Sequence, residues 1–259
     1  MDNERLISLQ DKASLGDAEA IIELIDFYLS IEDKVKAKLE SERLKYIRSV
    51  PAYRKLAYVY AMGLLDYPDL EKAKSYYQLA YELGDVSSGY SLALLLIKEN
   101  KALEAIPYLT SGVSNNDIPS IKLLANLYLK GEVVSKDLVI AHTLLKKALE
   151  LGDTTLYSSL GKICYQLKEY EDAFSYFSIG AQSRDLDCLY YLGLCYATGL
   201  GVKQDFLKSR QYYEQGANLN EPRCLYNLSL YYRNGVGVAQ NIPLADKLYQ
   251  QAIENGFKK

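Results

Sequence analysis

One spacing constrains this chain more than its length does. Asp17, Pro51, Asp85, Asp117, Asp153, Asp185 and Glu221 open comparable segments, at intervals of 34, 34, 32, 36, 32 and 36 residues. The tripeptide Leu-Gly-Asp recurs at Leu15, Leu83 and Leu151 in step with them. A chain with such a period folds as a stack of small units, each burying its apolar face against a neighbour. Its 259 residues therefore do not have to form one or two globular cores.

Each segment carries two apolar patterns of helical period separated by a break, which predicts a helix-turn-helix unit. Leu24, Tyr58, Leu92, Leu124, Leu160, Leu192 and Leu228 stand seven places after the starts. Tyr28, Met62, Leu96, Tyr128, Cys164, Tyr196 and Tyr232 stand four further on, so both columns share one helix face. The second helices repeat a small residue followed by bulky ones, as in Ala73 with Tyr76-Tyr77 and Ala173 with Tyr176-Phe177.

The punctuation agrees. Gly16, Gly84, Gly152 and Gly256 sit where a left-handed residue closes a second helix, and the Asp after each of the first three is placed to cap the next helix. Pro51 takes the same slot, suiting a first turn that needs no donor. Three units carry a longer loop: Gly131-Glu-Val-Val-Ser-Lys-Asp137, Gly199-Leu-Gly-Val-Lys-Gln-Asp205 and Gly235-Val-Gly-Val-Ala-Gln-Asn241, each ending on a residue that caps the second helix.

Gly-x-Gly-Val-x-x-Asp, followed by a small residue and an aromatic pair, resembles the Sel-like repeat, the longer-loop branch of the tetratricopeptide superfamily. The units starting at Asp117, Asp185 and Glu221 match best, while those at Asp85 and Asp153 resemble ordinary tetratricopeptide units. The resemblance implies an all-α, right-handed α-solenoid of about seven helix-turn-helix repeats over residues 17–259, preceded by a capping helix within 1–16. It also implies that the first helices line a concave face and that the chain serves as an adaptor or binding module.

Charge and composition narrow the partners. Thirty Lys and Arg against 33 Asp and Glu leave a net charge of −3, without the basic footprint expected for nucleic acid or an anionic membrane. No apolar run approaches the length of a membrane span, and the opening Met1-Asp2-Asn3-Glu4-Arg5 lacks the pattern of a secretory signal, so a cytoplasmic location is expected. The single His142 and the cysteines at 164, 188, 195 and 224 lack metal-ligand spacing; neither metal nor cofactor is expected. Cys188 and Cys224 share a column with Ala20, Ser88 and Ser120, which points to small-residue packing rather than nucleophilic catalysis. The Gly-x-Gly loops follow helices rather than strands and read as turns, not phosphate cradles.

The tyrosine excess, 25 against five Phe and no Trp, divides between packing columns and the presumed groove. Places 2, 5, 9 and 12 of each first helix should face that groove. In the earlier units these include Tyr53, Tyr60, Tyr90, Lys122 and Asn126. In the later ones they include Lys162, Tyr165, Asp187, Tyr190, Arg223, Tyr226 and Arg233. Tyr and Arg dominate binding hot spots because each joins a large contact area to a hydrogen-bonding tip. The expected function is a non-enzymatic module binding a protein or peptide partner, a bacterial regulator or an immunity protein that neutralises a cognate effector. The competing expectation is an envelope-associated binder or enzyme acting on a small ligand such as a cell-wall fragment. Self-association through the last unit, around Tyr249, is a further expectation.

Overall fold

The computed structural model describes residues 2–258, which form fifteen α-helices and one 3-10 turn and no strand. They divide into two compact units, the first running to Lys136 and the second starting at Asp137. In the first unit, α1 (Asn3–Ser14) precedes three hairpins: α2 (Ala18–Ser30) with α3 (Lys34–Leu44), α4 (Val50–Met62) with α5 (Leu70–Glu82), and α6 (Val86–Lys98) with α7 (Ala102–Ser114). The unit closes on α8 (Ile118–Lys130). The second unit opens on α9 (Leu138–Glu150) and continues with α10 (Tyr157–Gln166) and α11 (Tyr170–Gln182), α12 (Leu186–Thr198) and α13 (Phe206–Asn218), α14 (Pro222–Asn234) and α15 (Ile242–Glu254). Within each unit, consecutive hairpins pack one on the next as a helical repeat solenoid does.

The caps set the register, and they correct one boundary. The side chains of Asp17, Ser49, Asp85, Asp117, Asp185 and Glu221 accept backbone N–H groups at the start of their first helices, and Asp153 does so at the 3-10 turn Thr154–Leu156 that leads into α10. The second repeat therefore opens at Ser49, whose hydroxyl accepts from the Ala52 N–H at 3.3 Å, and not at Pro51. Pro51 lies one step inside the helix, in the first turn, where its missing N–H costs nothing. With Ser49 as the start, the intervals become 32, 36, 32, 36, 32 and 36, and shorter and longer repeats alternate down to the last two.

The two-residue shift moves every column of that repeat. Leu56 joins Leu24, Leu92, Leu124, Leu160, Leu192 and Leu228 in the buried first-helix column, whereas Tyr58 and Met62, expected inside, are exposed. Gly63, left-handed at φ 63°, aligns with Gly131, Gly199 and Gly235, and Asp69 caps α5 as the closing residues of the other longer loops cap theirs.

Both loop lengths hang from one carbonyl. In three of the longer repeats the closing residue's N–H donates to the carbonyl of a tyrosine two residues before the helix end: Asp69 to Tyr60 at 2.9 Å, Asp205 to Tyr196 at 2.9 Å and Asn241 to Tyr232 at 2.8 Å. In shorter repeats the equivalent bonds join Asp33 to Tyr28, Lys101 to Leu96 and Glu169 to Cys164. The extra residues lengthen the loop and leave the second helix starting from the same anchor.

Small residues then let helices meet. Ala37, Ala73, Ala105, Ala141, Ala173, Ser209 and Ala245 are fully buried at one place of the second helices. Where a second helix meets the following first helix, a Cβ on Gly112, Gly180 or Gly216 would stand 2.3–2.4 Å from Ser120, Cys188 or Cys224. Such contacts require both partners to be small.

Candidate functional site

Within the first unit, the outward faces of α2, α4 and α6 enclose an open cleft of about 430 Å³, lined by Ile22, Asp26, Pro51, Arg54, Tyr58 and Ser91, with Tyr77 from α5. The Arg54 guanidinium stands 3.6 Å from Asp85, a loose pair on an exposed side chain. Lys55 pairs with Asp26 at the cleft edge. Burial pushes the Tyr77 phenol above its ordinary range. A second cleft of about 420 Å³ lies between α6 and α8, lined by Tyr90, Pro119, Lys122, Leu123 and Asn126.

Three of the expected groove residues, Tyr90, Lys122 and Asn126, are thus brought together. Tyr53 and Tyr60 are not among them. The Ser49 register puts both in packing columns, where Tyr60 stacks on Tyr76 with centroids 5.7 Å apart and Tyr53 lies 6.2 Å from the same ring. Arg54 and Tyr58 occupy the vacated outward places. The signal for them was in the sequence: Gly63 precedes Asp69 by the same six residues that separate Gly131 from Asp137.

In the second unit a charged ladder crosses three first helices. Lys162 of α10 pairs with Asp187 of α12, whose other oxygen accepts from the Arg223 guanidinium of α14 at 2.6 Å. Arg223 also lies 4.4 Å above the Tyr190 ring and bonds Glu221 at 2.6 Å, while Glu221 itself, buried, accepts from the Cys224 N–H. Burial raises the Asp187 carboxyl, but the hydrogen bonds from Lys162 and Arg223 outweigh it and hold the group below the ordinary aspartate range. Burial likewise raises the Tyr190 phenol. Lys162, Asp187, Tyr190 and Arg223 therefore form one connected cluster.

The remaining three expected residues pack elsewhere. Tyr165 lies edge-on to Tyr170 and tilted against Tyr191, Tyr226 stacks on Phe257 at 4.3 Å, and Arg233 pairs with Asp246.

The groups weighed for catalysis are placed differently. All four cysteines are buried free thiols, and burial pushes Cys164 and Cys195 up to about 11. Burial raises Cys188 and Cys224 as well, with Asp185 and Glu221 acting in the same direction. Thiols so shifted are poor nucleophiles at neutral pH. His142 meets Tyr176 edge-on at 6.1 Å, and its Nε2 has no hydrogen-bond partner. Among the described residues no group of three His, Cys, Asp or Glu is arranged to hold a metal ion, and no helix is long and apolar enough to cross a membrane.

The fold has counterparts among solved structures. A Sel1 repeat protein from Oxalobacter formigenes shares 18% identity over 99% of this chain and 78% of its own, with a TM-score of 0.81. A protective antigen present in uropathogenic Escherichia coli strains, displaying a Sel1-like repeat fold, gives 21% identity over 95% of this chain and a TM-score of 0.68. The present chain spans only 57% of that antigen. The C-terminal part of a tetratricopeptide repeat-containing protein from Cytophaga hutchinsonii matches at 16% identity and a TM-score of 0.63, over 92% of this chain and 100% of its own. No curated protein matches the sequence. The Sel1 repeat model matches residues 50–85, 119–153, 186–221 and 222–257, more than half of the chain and one repeat more than the motif alone had marked. With its capped hairpins, its alternating loops and these four matches, the chain belongs to the Sel1 repeat family.

Proposed function

We propose that this protein is a non-enzymatic interaction module that holds a protein or peptide partner against the outward faces of its first helices. Repeat folds of this kind generally serve protein–protein interaction. The observation that carries the reading is the pair of open clefts in the first unit, where Arg54, Tyr58, Tyr90 and Lys122 border spaces the size of a side chain or two. Tyr and Arg on a prearranged surface offer contact area and hydrogen bonds at low ordering cost. The four buried thiols suit a reducing compartment such as the cytoplasm.

The test is site-specific photo-crosslinking in the native cell. A crosslinker at Tyr58 or Tyr90 should capture a discrete partner, and Arg54→Glu should abolish the Tyr58 adduct. A crosslinker at Ser75 or Lys146, exposed on second helices, should not capture it. Equal capture from all four positions, or capture only from the second-helix sites, would refute the assignment. The partner so identified separates the narrower readings of a bacterial regulator and an immunity protein: a cognate effector toxin means the latter.

A further inference from the structure

Asparagine precedes glycine at two places, Asn234–Gly235 and Asn255–Gly256. In such a pair the glycine nitrogen can close on the asparagine side chain, because glycine carries no Cβ to hinder it. The fold treats the two places differently. Asn234 is the last residue of α14, and the loop after it is tied down by three bonds: Val236 N–H to the Tyr231 carbonyl at 3.0 Å, Asn241 N–H to the Tyr232 carbonyl at 2.8 Å and the Gln240 amide to the Arg233 carbonyl at 2.8 Å. A Cβ on Gly235 would meet the Val238 carbonyl and Gln240 at 3.5–3.7 Å. Asn255 stands one place beyond α15 and is exposed, and a Cβ on Gly256 would meet nothing within 4 Å. The two reacting groups are held by the Gly256 N–H bond to the Ile253 carbonyl at 3.0 Å and by the Asn255 amide bond to the Gln251 carbonyl at 2.8 Å. Exposed bonds in a last helical turn open at little cost.

The residue after this pair is a latch. Phe257 N–H donates to the Ala252 carbonyl at 2.9 Å, in the turn by which Asp85, Asp153 and Glu221 donate to Ala80, Ala148 and Gly216 before capping the next helix. A phenyl ring accepts no such bond. It lies instead on Tyr226, with centroids 4.3 Å apart and planes 15° apart. One repeat earlier the equivalent ring, Tyr190, is covered by the Arg223 guanidinium of the following first helix at 4.4 Å. Phe257 thus gives Tyr226 the cover that Arg223 gives Tyr190, and the left-handed Gly256 aims it there.

We propose that Asn255 is a site of spontaneous deamidation and that its conversion unlatches Phe257 from Tyr226. The Gly256 nitrogen gives up its proton and bonds to the Asn255 Cγ; the Cγ–Nδ2 bond breaks, ammonia leaves and a cyclic imide closes. Water then opens the ring at either carbonyl, leaving aspartate, or isoaspartate with the main chain running through Cβ and Cγ. One water is consumed and one ammonia released, and nothing is oxidised or reduced. Either product sets a carboxylate at the C-terminal end of α15, against the helix dipole. Isoaspartate also adds an atom to the main chain just before Gly256, so the turn no longer aims Phe257 and Tyr226 is uncovered. The site needs no partner and is separate from the first-helix clefts.

The full chain kept at pH 8 and sampled by peptide mapping with mass spectrometry tests the site. Conversion at Asn255 should run at least about fivefold faster than at Asn234, because reaction at Asn234 requires at least one more hydrogen bond to open. In denaturing urea the two should convert at similar rates. Phe257→Trp, in a chain that has no other tryptophan, reports the latch. Its indole should be shielded from acrylamide in the fresh protein and become quenchable in step with conversion, whereas Asn255→Gln in the same background should stay shielded. Equal or faster conversion at Asn234 in the folded chain, or no conversion at Asn255 while the unfolded chain converts, overturns the site. An indole that stays shielded after conversion, or that is as quenchable in the fresh protein as in urea, overturns the latch.

Discussion

Ser209 offers a quantitative test of how these repeats are held together. It is fully buried at the place where Ala37, Ala73, Ala105, Ala141, Ala173 and Ala245 stand in the other repeats. Its hydroxyl donates to the Gly193 carbonyl at 2.7 Å and accepts from the buried Tyr231 hydroxyl at 2.6 Å. One oxygen thereby ties α13 to α12 and α14. Ser209→Ala fits sterically, since six repeats already hold alanine there, so its cost isolates the hydrogen bonds. A buried hydroxyl left without a partner costs about 1–3 kcal/mol, and Tyr231 would be so left. Tyr231→Phe leaves the Gly193 bond intact and should cost about 0.5–1.5 kcal/mol. The double variant removes the stranded hydroxyl and should be more stable than the sum of the single effects implies by about 1 kcal/mol. Urea midpoints followed by circular dichroism close the cycle. If the two single costs add to within about 0.3 kcal/mol in the double variant, the bond does not couple these helices and the reasoning fails.

Other outcomes follow from the same packing. The four thiols should resist a thiol reagent at pH 8 in the native protein and react fully once it is unfolded; rapid native labelling of Cys188 would contradict its burial against Gly180. Arg184 holds a left-handed backbone at φ 59°, where most equivalent places carry Gly or Asn. Arg184→Gly should therefore stabilise by about 0.5–1 kcal/mol, the relief of backbone strain exceeding the added flexibility of the unfolded chain, and a lower urea midpoint would refute this. Asp187 titrates below its unfolded value, so its contribution is complete above about pH 4 and is lost as pH falls through the depressed folded value. Asp187→Asn should cost no more than about 1 kcal/mol at pH 7, because the ladder is about one-third exposed. That difference should shrink steadily as pH falls below about 4; a gap that stays constant over that fall would show that the ion pairs are not its source.

Much of this fold was legible because each repeat writes its own punctuation. Asp17, Asp85 and Asp153 cap where they were expected to, Asp117, Asp185 and Glu221 do the same at the other starts, and Gly16, Gly84, Gly152 and Gly256 adopt the left-handed conformation their positions demanded. The small-residue reading of Cys188 and Cys224 holds because glycines face them. The second repeat was misaligned for a physical reason: a proline in the first turn resembles a helix start from either side, and only the loop spacing from Gly63 to Asp69 breaks the tie. That shift of two residues exchanged Tyr53 and Tyr60 for Arg54 and Tyr58 on the outward face. The ladder from Lys162 to Arg223 was legible as a set of places but not as a network, since ion pairing across repeats depends on side-chain reach that no periodicity encodes. The second helix of the first repeat was visible only as a lost pattern, because Glu40 shares its inward face with Ala37 and Leu44 and is kept there by the Arg43 guanidinium.

The two first-helix faces are prepared differently, and this orders the residues by what substitution should reveal. In the second unit, Asp187 already accepts from Lys162 and Arg223, and Arg223 covers Tyr190. A ligand engaging these groups must first break pairs that link α10, α12 and α14, and the energy lost from the ladder offsets what the new contacts contribute. In the first unit, Arg54 is held only loosely by Asp85, and Tyr58 is 47% exposed beside an open cleft. A partner there gains contact area without dismantling a network. Changes at Asp187 or Arg223 should therefore register mainly in the stability of the second unit, and changes at Arg54 or Tyr58 mainly in binding.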